Sequence, residues 1–372
     1  ELNHHDKATS AQVRNFYARI HTSDGVEEAV YVKDQSIDFC RKQALKAAMM
    51  QSAKLLNSSS FDEIEKLIKD ALVLGTDNNF GHDFHKDALR RFELAARDPI
   101  TTGWSQMDEI CKGGLGNSEL GVVVAPTGAG KSMVLVHLAT QALLLGKTVV
   151  YYTLELKDTT VGQRFDCCLT KTHLGEHKQK KEEILKKIED IEGTLIIKEY
   201  PTKSASVQTI KNHIEKLRKR GINPDIILLD YADLLRPVRS SSEKRHELEE
   251  TYEGLRGLAQ SYDIPCWTAS QTNRGGLNAE VITMEAISEA FNKCFVADFI
   301  FSLSRTTLDK QSNKGRVFIA KNRNGPDGIV FDAHVDWSDV TINILDRNES
   351  VEKMQTTTEA RKILKEKYEQ LQ

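Results

Sequence analysis

The segment Ala125-Pro126-Thr127-Gly128-Ala129-Gly130-Lys131-Ser132 stands between an apolar run, Gly121–Val124, and a helical pattern that opens at Met133. A strand that breaks into a loop of small residues and then starts a helix turns its backbone N–H groups toward one point. The helix N-terminus already favours negative charge there. Lys131 can reach the β- and γ-phosphates of a ligand in such a cradle, and the Ser132 hydroxyl can ligate Mg²⁺. The eight residues depart from G-x-x-x-x-G-K-[ST] only at Ala125. This arrangement restricts the chain to an α/β architecture with the loop at a strand end, and it predicts a nucleoside triphosphate ligand.

The remainder of the chain agrees with that architecture from Ile100 onward, where short β-rich runs alternate with helical ones. The expected strands are Gly121–Ala125, Thr148–Leu154, Thr194–Lys198, Asp225–Asp230, Ile264–Ser270, Phe299–Leu303, Arg316–Ala320, Ile329–Val335 and Thr341–Leu345. Several are almost uniformly apolar, as strands covered on both faces of a parallel sheet must be. The last ones, with turns at Asn324–Gly328 and Trp337–Asp339, read as antiparallel hairpins added at one edge. The mixed-charge run Lys178–Glu192 reads as a solvated helix.

The first hundred residues read as helical. Ser36–Leu56 has apolar residues at helical spacing, and Ser60 with Glu63 forms a capping box before Ile64, Leu67, Ile68 and Leu72. Phe84–Arg97 is a second amphipathic segment, stopped by Asp98-Pro99. The expected division is a helical domain over 1–82, a linker helix over 83–99, the α/β core over 100–347 and a tail over 348–372 with a final helix at Thr358–Leu371. The chain opens on Glu1 and not Met, so an upstream piece is expected.

Composition narrows the partners. Lysine plus arginine (51) nearly equals aspartate plus glutamate (54), which excludes a broadly basic exterior, so a nucleic acid would have to be held in a local channel. No apolar stretch approaches the length of a membrane span. Six cysteines without C-x-x-C spacing read as buried, reduced thiols of a cytoplasmic protein without a zinc site.

Other strand ends complete the cradle's chemistry. Asp230 closes the apolar strand Ile226–Leu229 and can hold Mg²⁺ opposite Ser132. Glu155 ends the strand that starts at Thr148 and can polarise an attacking water, as ATP hydrolysis requires. Gln271, uncharged and two-sided in hydrogen bonding, suits the sensing of a γ-phosphate. Lys321 and Arg323, two apart in Ala320-Lys321-Asn322-Arg323-Asn324-Gly325-Pro326, can face one way from a hairpin. They are the candidates for the cationic finger that stabilises transition-state charge, supplied to a neighbouring subunit.

These pieces, in this order, resemble the DnaB-like replicative DNA helicases, the hexameric superfamily 4 group, and phage-encoded members in particular. The likeness runs from about Ile100 to Asp346 and includes the lead-in Thr102-Gly103-Trp104-Ser105-Gln106-Met107-Asp108, the cradle, Leu154-Glu155, Leu229-Asp230-Tyr231, Ser270-Gln271, Ala297-Asp298 and the Lys321–Pro326 hairpin. Ala125 is often seen at the first cradle position in that group. The resemblance implies a RecA-like core with a mostly parallel, twisted sheet, preceded by a small helical segment and a linker helix. It also implies a homo-oligomeric, normally hexameric ring around single-stranded DNA, moving 5′→3′ with ATP and Mg²⁺ and unwinding forked duplex. A primase and a helicase loader would be further partners, in bacterial cytoplasm.

Arg164 matches a position that contacts nucleotide in the family. The stretch Arg236–Arg245, with Arg239, Lys244 and Arg245, reads as a flexible cationic loop suited to tracking a phosphate backbone. Ile287–Ala290 matches a second DNA loop, but Ser288 and Phe291 stand where Arg and Gly are usual, which leaves Lys293 as the candidate cation. Two rival readings remain at this level: a filament-forming RecA-type recombinase, and a nucleotide-gated clamp or loader without motor activity.

Overall fold

The computed structural model describes residues 26–55, 97–237, 244–272, 281–282 and 294–347, with single positions between 63 and 89. The chain divides into two units, Glu1–Leu94 and Ala95–Gln372.

In the first unit, helix α1 spans Val26–Leu55, ten residues earlier than the apolar spacing predicts. Its predicted stripe is only partly covered: Ala48 is buried, whereas Phe39 and Met49 are exposed, and Cys40 is exposed too, unlike the buried thiol expected there. Within the predicted linker helix, positions 84–86 and 88–89 are turn residues. The reason is local: the Asp83 carboxylate accepts the N–H groups of His85 and Lys86, both at 3.0 Å, and closes a side-chain turn there. Positions 97–99 are not helical, and Ser60, positions 87 and 90–96 and the tail from 348 lie outside the described residues.

The second unit holds one nine-stranded sheet. All nine predicted strands are present: β1 Leu120–Ala125, β2 Thr148–Thr153, β3 Thr194–Glu199, β4 Ile226–Asp230, β5 Cys266–Gln271, β6 Phe299–Ser304, β7 Lys314–Asn322, β8 Val330–Asp336 and β9 Thr341–Arg347. Their spatial order is β3-β2-β4-β5-β1-β6-β7-β8-β9. Strands β1 to β6 run parallel to one another, and β7, β8 and β9 extend the β6 edge as an antiparallel meander. Helices α2 Ser105–Ile110, α3 Lys131–Leu144, α4 Asp158–Thr170, α5 Lys181–Glu189, α6 Val207–Arg218 and α7 Lys244–Tyr262 complete the described elements needed below. No described helix is long and apolar enough to cross a membrane.

Two cores explain why the central strands are apolar throughout. Along β1, Val123 and Ala125 pack with Trp104, Leu135 and Phe165 on one face. Leu120, Val122 and Val124 pack with Ile210, Ile214, Tyr252 and Leu255 on the other. A strand buried on both sides cannot alternate with polar residues without leaving them unpaired.

The lead-in Thr102–Asp108 is fastened to the far edge of the sheet. The Trp104 indole donates to the Ile342 carbonyl at 2.8 Å and stacks on His137, ring centroids 4.4 Å apart. His137 is buried, touches the Thr102 carbonyl at 3.1 Å, and has its pKa pressed down to about 4, chiefly by burial and further by Lys171. The folded protein therefore keeps this ring neutral, while the unfolded chain takes up its proton near pH 6.5. Acidification from pH 6.5 to about 4 should cost about 3 kcal/mol of stability through this single group. Thermal unfolding of His137→Gln across pH 7 to 4 should show that acid-dependent loss removed; an unchanged acid limb would assign it elsewhere.

Candidate nucleotide-binding site

The cradle forms where β1 ends and α3 begins. Gly128 (φ 73°) and Gly130 (φ 108°) take the left-handed conformations that turn the loop, and Val134 donates to the Gly130 carbonyl at 3.0 Å to start the helix. The two glycines differ in their surroundings. A Cβ at Gly128 would meet nothing within 4 Å among the described residues, whereas one at Gly130 would fall 2.1 Å from Trp337. The Lys131 ammonium donates to the Ala125 and Pro126 carbonyls, each at 3.3 Å, and lies 5.5 Å from the centre of the Tyr231 ring. Pro126, Thr127, Gly128, Ala129, Gly130, Lys131 and Ser132 thus form one turn around the lysine.

Sheet register brings the other strand ends to the same place. Thr153 of β2 pairs with Asp230 of β4, and Ala125 of β1 pairs with Gln271 of β5. Asp230 is fully buried, and its pKa is raised chiefly by burial and also by the negative charge of Glu155. The Ser132 hydroxyl, the Tyr151 phenol and Arg164 on α4 counter that shift. Tyr151 donates to Asp230 Oδ2 at 3.2 Å, while Oδ1 is buried with no hydrogen-bond partner among the described residues. A buried carboxylate oxygen left unpaired costs several kcal/mol in the general case. Beside a serine hydroxyl, it suits a hard divalent cation bound through oxygen, so Asp230 and Ser132 fit Mg²⁺.

Glu155 follows β2 and is exposed at this rim, next to Leu154, whose N–H donates to the Asp230 carbonyl at 2.9 Å. Gln271 spans the gap between strands: its amide donates to the Thr127 hydroxyl at 2.7 Å and accepts from the Tyr231 phenol at 3.4 Å. Its backbone N–H donates to Asp233 Oδ2 at 3.3 Å. The predicted sensor therefore links the cradle to the segment after Asp230.

Lys321 and Arg323 lie elsewhere. Asn322 pairs with Phe299, and Phe299 with Gly121, so the hairpin stands at the end of the sheet where β1 begins. Six residues of β1 separate it from the cradle, about 20 Å of extended chain. Arg323 donates to Asp298 Oδ1 at 3.0 Å, and the Lys321 ammonium donates to the Phe295 carbonyl and lies 4.5 Å over that ring. The rest of the motif is structural. Asn322 donates to the Ile110 carbonyl at 2.8 Å and Asn324 to Glu119 at 3.0 Å, while a Cβ at Gly325 would fall 2.1 Å from the Ile110 carbonyl oxygen.

The candidate DNA contacts are placed only in part. Arg239 and Lys293, with the Ile287–Ala290 loop, lie outside the described residues. Lys244 and Arg245 do not belong to a flexible loop: they open the 19-residue helix α7. That helix forms because Tyr252, Leu255, Leu258 and Ala259 supply a buried stripe downstream. Arg245 is exposed and pairs with Glu249, one turn on, at 3.1 Å. Sequence reasoning assigns no role to Asp298, Glu119 or Trp337, although Ala297-Asp298 is among the motifs of the resemblance and Trp337 opens a predicted turn. Each acts on a residue far away in the chain.

The chain is similar to proteins described as replicative helicases. The chain is 28% identical over 261 residues to the DnaB-like replicative helicase of Enterobacteria phage T4, covering 65% of this chain and 54% of that one. Against the replicative DNA helicase DnaC of Bacillus subtilis it is 25% identical over 338 residues, covering 87% and 71%. A match to a probable plasmid replicative DNA helicase of Chlamydia psittaci covers 42% of that protein, so the chain spans about half the length of several relatives. A solved DnaB-like replicative helicase, described with its interactions with primase, superposes with a TM-score of 0.60 at 16% identity over 87% of this chain and 81% of that one, a likeness of fold. Residues 99–343 match the DnaB-like helicase C terminal domain, well over half of the 372 residues, and the chain belongs to that family.

Proposed function

We propose that this chain is the ATP-hydrolysing motor of a replicative DNA helicase. It assembles into a ring, normally of six copies, encircles single-stranded DNA, moves 5′→3′ and opens the duplex at a fork. The observation that carries this reading is the separation of parts: cradle, Asp230, Glu155 and Gln271 share one end of the sheet, and Lys321 and Arg323 occupy the other. A site divided in this way is completed by the next copy, as ring motors require and a self-contained switch does not.

Within one subunit, the Pro126–Gly130 backbone and Lys131 hold the phosphates, with Arg164 alongside. Ser132 and Asp230 would hold Mg²⁺, which would supply positive charge to offset that of the phosphates. Glu155 takes the proton of the attacking water, and Gln271 passes the state of the γ-phosphate to Tyr231 and the segment beyond it. Arg239, Lys244, Arg245 and Lys293 are the proposed DNA contacts. The exposed Arg245–Glu249 pair is worth only about 0.3–0.5 kcal/mol and is easily exchanged for a DNA phosphate. A primase and a loader are the proposed protein partners.

Purified protein given ATP and Mg²⁺ should unwind a 5′-tailed fork, and single-stranded DNA should raise its ATP turnover. Electron micrographs should show closed rings. A fork that stays paired while turnover ignores DNA would reject the motor, and helical filaments would favour the recombinase architecture.

A further inference from the structure

The segment that receives the finger residue is itself organised. Asp298 is 5% exposed, and every oxygen of its carboxylate is engaged. Oδ1 accepts from Arg256 Nη2 and from Arg323 Nη1, both at 3.0 Å. Oδ2 accepts from Arg256 Nε at 3.2 Å and from the Leu120 N–H, the first of β1, at 3.0 Å. The backbone is paired as well: Arg323 N–H donates to the Asp298 carbonyl at 3.0 Å, and Asp298 N–H donates to the Leu120 carbonyl at 2.9 Å.

Two guanidinium groups on one carboxylate leave one positive charge over. Arg256 makes the two-nitrogen, fork-like contact and neutralises Asp298, whereas Arg323 is held through Nη1. The Arg323 side chain is 43% exposed, against 27% for Arg256. A cation held at one nitrogen, with its partner already neutralised, keeps its direction fixed while much of its side chain stays exposed. That is the condition for presenting a fork of N–H groups to a phosphate without retaining it in a closed ion pair.

We propose that Asp298 is the positioning residue of the Arg323 finger, with Arg256 as the second cation that stops Asp298 from capturing it. This rests on the divided site proposed above. Arg256 sits on α7, the helix that follows the Asp230 strand, so the finger's setting is tied to the element next to the neighbouring part of its own nucleotide site.

Asp298 also pins the start of β1, and therefore its own subunit's cradle, so a structural role and a positioning role must be separated. Asp298→Asn keeps the shape and an acceptor for Leu120 but removes the charge. DNA-stimulated kcat should fall about 10²-fold, the scale of an ångström-level misplacement, with KM for ATP and ring assembly unchanged. The separation comes from mixed rings. A D298N subunit has a sound cradle and a misdirected finger, whereas a Lys131→Ala subunit has a broken cradle and a sound finger, so mixing them should restore turnover. A defect in its own cradle would not be restored. Arg323→Ala mixed with K131A is the control: no rescue there rejects the divided site, while rescue of R323A without rescue of D298N rejects the positioning role alone. If D298N does not fold, Arg256→Gln leaves the Leu120 contact in place and should show the same rescuable loss; wild-type turnover from R256Q rings overturns the proposal.

Discussion

Replacing Arg323 by alanine is expected to lower DNA-stimulated ATP turnover by about 10³–10⁵, the worth of an arginine finger in phosphoryl transfer, while nucleotide binding and ring assembly persist. The expectation follows from where the side chain stands. Its guanidinium meets Asp298 beside Leu120, at the beginning of β1, and the cradle of the same subunit starts at Ala125 at that strand's other end. No rotamer of one arginine covers the length of a fully hydrogen-bonded six-residue strand, so the charge acts on another copy's nucleotide or on none. Turnover measured against the fraction of R323A subunits in rings with K131A subunits should pass through a maximum, because only mixed interfaces contain both sound halves. A flat, inactive series would mean that Arg323 serves its own hairpin only. Lys321→Ala should follow the same pattern with a smaller loss: its ammonium is already engaged by Phe295, and burial together with Arg323 lowers its pKa.

Much of this arrangement was legible in the residues alone, for physical reasons that also explain the exceptions. Strands such as Ile226–Asp230 announce themselves because burial on two faces forces an unbroken apolar run, and a carboxylate after such a run must sit at a sheet end. The cradle is legible because φ above zero at Gly128 and Gly130 demands glycine. Contacts between distant segments leave no such mark. Asn324 to Glu119 joins residues 205 apart, and Trp104 to Ile342 joins residues 238 apart, so neither partner predicts the other. Lys244 and Arg245 misled because serine-flanked cations look like loop composition, yet the stripe from Tyr252 onward draws them into the first turn of α7. The hairpin was read for its two cations, although Asn322, Asn324 and Gly325 are what dock it against Ile110 and Glu119.

Substituting Glu155 by glutamine should separate chemistry from binding. Loss of a general base costs about 10²–10⁴ in rate, and glutamine keeps the shape of the side chain at the rim while removing its ability to take a proton. The residues proposed to hold the nucleotide and Mg²⁺ are untouched, since Lys131 is set by the Ala125 and Pro126 carbonyls and Asp230 by Tyr151 and Ser132. A second consequence gives the experiment its own control. The Glu155 charge is one of the causes that raise the Asp230 pKa, so E155Q should lower that pKa and keep Asp230 ionised to more acid pH. Mg²⁺-dependent nucleotide affinity should therefore hold further into the acid range in E155Q than in wild type, while single-turnover hydrolysis is slow at every pH. Affinity read from a fluorescent nucleotide between pH 5 and 8, beside quenched-flow hydrolysis, tests both limbs on one preparation. Full hydrolysis would move the base to another group, and an affinity that collapses together with the rate would make Glu155 a structural member of the rim.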